Sequence, residues 1–191
     1  CTESVTFATI APNTFGNVIH ETLEALYLPY TGEILQPAHI ALMKKQGPGV
    51  LSAAFGKHYL KGGKARGKNL IALNVMEKYI ESFLNVELRR IQAHEVRILG
   101  IEQKLTRELT NIPGCSVPVC IKGTVDRIET VDGELRIVDY KTGTVAPSNL
   151  RISDWAALCE DPKKSKAFQV LCYAWLIQGE RDMANSNFRA G

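Results

Sequence analysis

Apolar residues recur with the period of an α-helix over residues 14–28, where Phe15, Val18, Ile19, Leu23, Leu26 and Tyr27 form one stripe that Pro29 stops. His20 lies beside that stripe. Residues 30–68 lose the regularity: Gln46-Gly47-Pro48-Gly49 reads as a breaker, and Lys57, His58, Lys61, Lys64, Arg66 and Lys68 crowd around Gly62, Gly63 and Gly67. A second long helix is predicted over 69–90, carrying Leu70, Leu73, Val75, Met76, Tyr79, Ile80, Phe83 and Leu84. Over 94–105 the pattern changes to that of a strand, with Val96, Ile98, Leu99 and Ile101. Two further runs, 117–131 and 134–141, flank Asp132-Gly133, a strong hairpin signal. A last helix is predicted over 166–178. The order helix, helix, strand, strand, strand, helix predicts an α/β (α+β) architecture with helices against a central sheet.

The hairpin sets a register. With Asp132 and Gly133 as the two loop residues, Val131 pairs with Glu134, and counting back places Asp126 opposite Asp139. Side chains alternate along a strand, so Lys141 shares the face of Asp139. Directly opposed side chains stand about 4.5–5.5 Å apart at Cβ, where two like charges destabilise unless something offsets them. A divalent cation does so, and Mg²⁺ favours such sparse carboxylate sites, completing its octahedron with water and phosphate oxygens. Asp139 also follows the apolar run Leu135, Ile137, Val138, and a carboxylate buried there costs several kcal/mol without a partner. The competing reading is an ordinary solvent-facing hairpin with the acids paired to Arg127 or Lys122.

Composition narrows the class without choosing the function. The chain has 191 residues, 45% hydrophobic and 23% charged, which fits one folded domain over 1–191 and excludes collagen-like and disordered classes. Its net charge of +3 is too small to announce a nucleic-acid partner by itself. The 5 cysteines lack zinc-type spacing and point to thiols in a reducing compartment. No apolar run approaches a membrane span and no leader pattern is present, so a cytoplasmic location is expected. The start at Cys1 and the stop after Arg189-Ala190-Gly191 predict a piece of a longer protein.

Four motifs in order carry a family resemblance: Gly16-Asn17-Val18-Ile19-His20, Gly123-Thr124-Val125-Asp126-Arg127-Ile128, Ile137-Val138-Asp139-Tyr140-Lys141-Thr142-Gly143, and Gln169-Val170-Leu171-Cys172-Tyr173. Together they resemble the RecB-like exonuclease branch of the PD-(D/E)xK nuclease superfamily, as in the nuclease domains of RecB and AddB. The resemblance implies a restriction-endonuclease-like core, a mixed sheet of three to five strands whose hairpin 117–141 carries the site, with 29–90 as a helical, basic insertion. It implies that Asp126, Asp139, His20 and the backbone carbonyl of Tyr140 hold Mg²⁺ or Mn²⁺. Lys141 would orient or activate the attacking water and stabilise developing phosphorane charge, and Gln169 and Tyr173, four apart on one helix face, would position DNA. An imidazole in the ligand set favours Mn²⁺ at least as much as Mg²⁺. Glu102, on the preceding strand, is a weaker acidic neighbour held outside the catalytic set. The superfamily core has another strand after the last helix. Residues 180–191 are polar and turn-rich, which leaves the sheet one strand short.

The expected activity is metal-dependent hydrolysis of DNA phosphodiesters, by an exonuclease of repair or recombination with a helicase domain or subunit as partner. The alternative is a nuclease-like module that binds DNA or a protein without cutting. A P-loop ATPase is a distant third: Gly62 to Lys68 matches G-x-x-x-x-G-K, but Asn69 stands where the Mg²⁺-binding Ser or Thr belongs. The same segment is otherwise a solvated loop or a basic lip holding DNA phosphates through Lys57, Lys61, Lys64, Arg66 and Lys68. Some members of the branch carry an iron–sulfur cluster on four cysteines. Here none follows Tyr173, so a cluster is not expected in this chain.

Overall fold

The computed structural model describes residues 12–60, 68–110, 112–114, 117–179 and 188–190. The chain divides into a helical unit, 1–29 with 35–93, and a sheet unit, 30–34 with 94–191.

The helical unit contains α1 (Pro12–Tyr27), α2 (Pro37–Phe55), a π-helical turn (Gly56–Leu60) and α3 (Lys68–Ala93). On α1 the predicted stripe is buried at Val18, Ile19, Leu23, Leu26 and Tyr27, and the Thr22 hydroxyl among them donates to the Val18 carbonyl at 2.7 Å. Phe15 and Tyr27 meet Tyr79 and Phe83 of α3 edge to face, with centroids 6.1 and 6.4 Å apart. The predicted breaker at 46–49 is corrected, because α2 runs through Gly47, Pro48 and Gly49 without interruption. Burial explains this. Ile40, Met43, Leu51 and Phe55 are essentially inaccessible, and burying such side chains contributes about 1.5–3 kcal/mol each. An internal Pro costs about 3 kcal/mol and each Gly about 1, so the apolar face wins. Gly47 is itself buried, and a Cβ there would stand 3.8 Å from Ile80 of α3.

The sheet unit has the mixed α/β architecture that the pattern predicted. Strands β1 (Val96–Leu109), β2 (Val119–Val131) and β3 (Glu134–Val138) form an antiparallel meander. The absence of a last strand is corrected: β4 (Phe188–Ala190) pairs in parallel with β3, in the order β1-β2-β3-β4. Three residues sufficed, too few to leave a strand pattern in a polar segment. The hairpin follows the counted register from Val131↔Glu134 to Arg127↔Val138. Asp132 and Gly133 have φ of 52° and 83°, the positive pair that a type I′ turn requires. Between β3 and β4 lie α4 (Pro147–Leu150), two 3₁₀ turns and α5 (Ser165–Gln178).

Helix α5 closes the core of this unit: Ala174, Leu176 and Ile177 join Leu105, Val125, Ile128, Leu135 and Ile137. Gly123 permits the approach, since a Cβ there would sit 3.1 Å from both Tyr173 and Leu176. Arg107 of β1 ties the helix end, donating to the Trp175 carbonyl at 2.8 Å with its guanidinium 4.2 Å over the indole. Cys120, Cys159 and Cys172 are free thiols. Among the described residues no helix is long and apolar enough to cross a membrane.

Candidate active site

The hairpin delivers its two acids to the end of the β2–β3 ladder. The last paired residues are Arg127 and Val138, so Asp126 and Asp139 stand one step beyond. There β3 leaves the ladder, and the Tyr140 N–H turns to donate to Asp126 Oδ2 at 2.6 Å. A backbone amide adjacent to one acid thus holds the other. Asp126 is 8% exposed and the Asp139 side chain 6%. Lys141 Nζ meets Asp139 Oδ2 at 2.6 Å. Neither acid is on the solvent face that the competing reading requires. Arg127 instead makes a fully buried ion pair with Glu129, Nη2 to Oε2, at 2.5 Å.

Glu102 joins them. On β1, Ile101 pairs with Arg127 and Gln103 with Val125, which places Glu102 across from Asp126. Carboxylate oxygens of the two lie within 4.8 Å of each other. The Glu102 backbone has φ of 47°, uncommon for a residue with a side chain, and the register of β1 shifts just before it, between Ile98 and Gly100. A non-Gly residue in this region costs on the order of 1–3 kcal/mol, which the surrounding strand pairing sustains. Spacing alone places Glu102 only as an acidic neighbour, because β1 and β2 are joined by a long connection, not a countable hairpin. Its one signal was an acid in an apolar strand.

Gln169 and Tyr173 come to the same place from α5. Gln169 Oε1 accepts from Lys141 Nζ at 3.0 Å, and Gln169 Nε2 donates to the Tyr173 hydroxyl at 2.7 Å. Burial first, then the negative charges of Asp139 and Asp126, push the Tyr173 phenol above its ordinary pKa, against the lowering effect of Gln169 and Lys141. The phenol is therefore neutral at physiological pH. Burial likewise raises the Cys172 thiol, which makes it a packing residue and not a thiolate nucleophile.

His20 lies on α1 of the helical unit and is half-buried. Of the basic segment, Lys61, Lys64 and Arg66, with the glycine-rich stretch that mimics a P-loop, lie outside the described residues, and Lys68 opens α3. Lys57 is on the π-helical turn and pairs with Glu21 at 2.9 Å. His58 meets the same carboxylate at 2.6 Å. The Lys57 ammonium first, with help from His58, holds Glu21 below the usual carboxylate range.

A divalent cation fits the acid cluster. Asp126 and Glu102 present hard oxygens within the span that one cation bridges at about 2.0–2.6 Å per bond. Asp126 is buried and Glu102 half-buried, and a cation between them would offset the repulsion of two like charges placed across neighbouring strands. Neither curated proteins nor solved structures give a match. The family model of the PD-(D/E)XK nuclease superfamily, which comprises divalent-metal-dependent nucleases with DNA as substrate, matches residues 3–190. With nearly its whole length matched, the chain belongs to the PD-(D/E)XK nuclease superfamily.

Proposed function

We propose that this protein is a deoxyribonuclease of the RecB-like branch, an exonuclease that hydrolyses DNA phosphodiester bonds in repair or recombination. The observation that carries this reading is the pair Asp126 and Asp139 at the ladder end with Lys141 on Asp139. In this reading 1–191 is a single nuclease domain with 29–90 as its insertion, part of a longer cytoplasmic protein that acts with a helicase domain or subunit.

Asp126, Asp139, the Tyr140 carbonyl and Glu102 would hold Mg²⁺ or Mn²⁺. When bound, the cation supplies Lewis-acid polarisation of the phosphodiester and a lowered pKa for the attacking water. The chain's own groups do the rest. Tyr140 N–H keeps Asp126 oriented, so its carboxylate need not reorganise when substrate arrives. Lys141, a donor-only ammonium, binds a non-bridging phosphate oxygen and offsets the negative charge that builds as water attacks phosphorus. The new P–O bond forms as the attacking water gives a proton to solvent, the P–O bond to the leaving sugar oxygen breaks, that oxygen takes a proton from solvent, and a phosphomonoester and a hydroxyl end result. Basic residues Lys57, Lys61, Lys64, Arg66 and Lys68 would hold phosphates nonspecifically.

Labelled single- and double-stranded DNA incubated with Mg²⁺ or Mn²⁺ tests the reading. Wild type is expected to cut both or one of them, and Asp139→Ala and Lys141→Ala to lower the rate by at least about 10²–10³-fold. Metal-dependent cutting that survives both substitutions overturns the assignment. DNA binding with no cutting by wild type would favour the inert module.

A further inference from the structure

We propose that Gln169 is a positioning residue for Lys141, aimed in turn by Tyr173, and that its work is done on the lysine and not on DNA. This deepens the nuclease reading and rests on it for its catalytic consequence. An amide has one acceptor end and one donor end. With Nε2 donating to the Tyr173 hydroxyl at 2.7 Å, Oε1 is turned toward Lys141, and it accepts from Nζ at 3.0 Å. The donor-only ammonium requires Oε1 to face it, and the Tyr173 hydroxyl, which can accept, anchors the Nε2 end and so holds the amide in place.

A lysine needs such help. Its four-carbon stem is flexible, and Asp139 restrains the ammonium through a single oxygen contact at 2.6 Å. Asp139 and Lys141 are two residues apart in an irregular segment after β3, so both move with that segment. Gln169 adds a second acceptor from a different element. α5 is itself seated on β2 where the Tyr173 ring meets Gly123, so the reference point for Nζ is the sheet core. Two acceptors from two elements define a position for the ammonium, and its third N–H is left for a phosphate oxygen. The acceptor is also neutral. A carboxylate at 169 would add a second negative charge to that of Asp139, whereas an amide orients the ammonium without adding one.

A DNA-contact role and a lysine-positioning role differ in what they change. Gln169→Ala is expected to lower kcat by about 10–10²-fold, the scale of a catalytic group displaced by about 1 Å, with KM and metal-free DNA affinity unchanged. Tyr173→Phe keeps the ring on Gly123 and removes only the hydroxyl, so it should show a smaller effect of the same kind. A second readout needs neither metal nor DNA: acetylation of Lys141 by acetic anhydride, followed by mass spectrometry against exposed Lys122. It should rise severalfold in Gln169→Ala and less in Tyr173→Phe. Unchanged Lys141 labelling in both variants, or weakened DNA affinity with kcat preserved, overturns the proposal. A wild type that cuts no DNA would defeat the nuclease reading while the labelling still judges the lysine.

Discussion

Asp126, Asp139, Lys141 and Glu102 show how far single residues could be read. A two-residue loop and a period of two fix the hairpin register, and the ladder follows that count to Arg127↔Val138, one step before the two acids. Beyond it β3 leaves the ladder, and Lys141 falls in an irregular segment that the count does not reach. Glu102 could not be placed this way, because its position opposite Asp126 depends on a register shift within β1. The loop residue Asp132 has a second role that the turn signal hides. Its Oδ2 meets His94 Nδ1 at 2.6 Å and its Oδ1 accepts from the Glu95 N–H, and these bonds, His94 first, hold its carboxyl below the ordinary aspartate range. A carboxyl lowered on folding contributes stability above its unfolded pKa, and the contribution is lost as pH falls through the folded value. Asp132→Asn is therefore expected to lower Tm at pH 6, with the gap to wild type closing as the medium is acidified to about pH 3. A gap that persists or widens in acid would contradict the linkage.

At the scale of elements, long periodic segments were legible and interrupted ones were not. α1, α3 and α5 declare themselves by spacing, whereas α2 contains residues that break isolated helices and forms because its apolar face is buried. β2 presents a different conflict: Arg127 and Glu129, which look like solvent-facing charges in sequence, are 1% and 0% exposed and paired. Removing one partner deprives a buried charge of its ion pair. Glu129→Ala is expected to cost about 3–5 kcal/mol in urea denaturation, and Arg127→Met combined with Glu129→Leu to recover most of it. A single substitution costing under about 1 kcal/mol, the range of exposed pairs, would show that the pair is solvated.

For the whole molecule, cation binding should register as stability. A ligand that binds only the folded chain stabilises it by RT ln(1 + [L]/Kd), about 2.7 kcal/mol at 100 Kd, which for a chain of this size raises Tm by about 5–10 °C. Mn²⁺ should produce that rise in wild type, less in Glu102→Gln and none in Asp126→Asn. An equal rise in Asp126→Asn would mean that the ion binds elsewhere. The sequence by itself determined the helix-rich α/β class, the hairpin and its acids, and the order of motifs, because these depend on local periodicity and a loop of fixed length. Only the tertiary structure decided that α2 runs through its proline, that Phe188–Ala190 extends the sheet, that Glu102 faces Asp126, and that Gln169 reaches Lys141. Each of those depends on burial or on contact between segments far apart in the chain, and neither leaves a period to read.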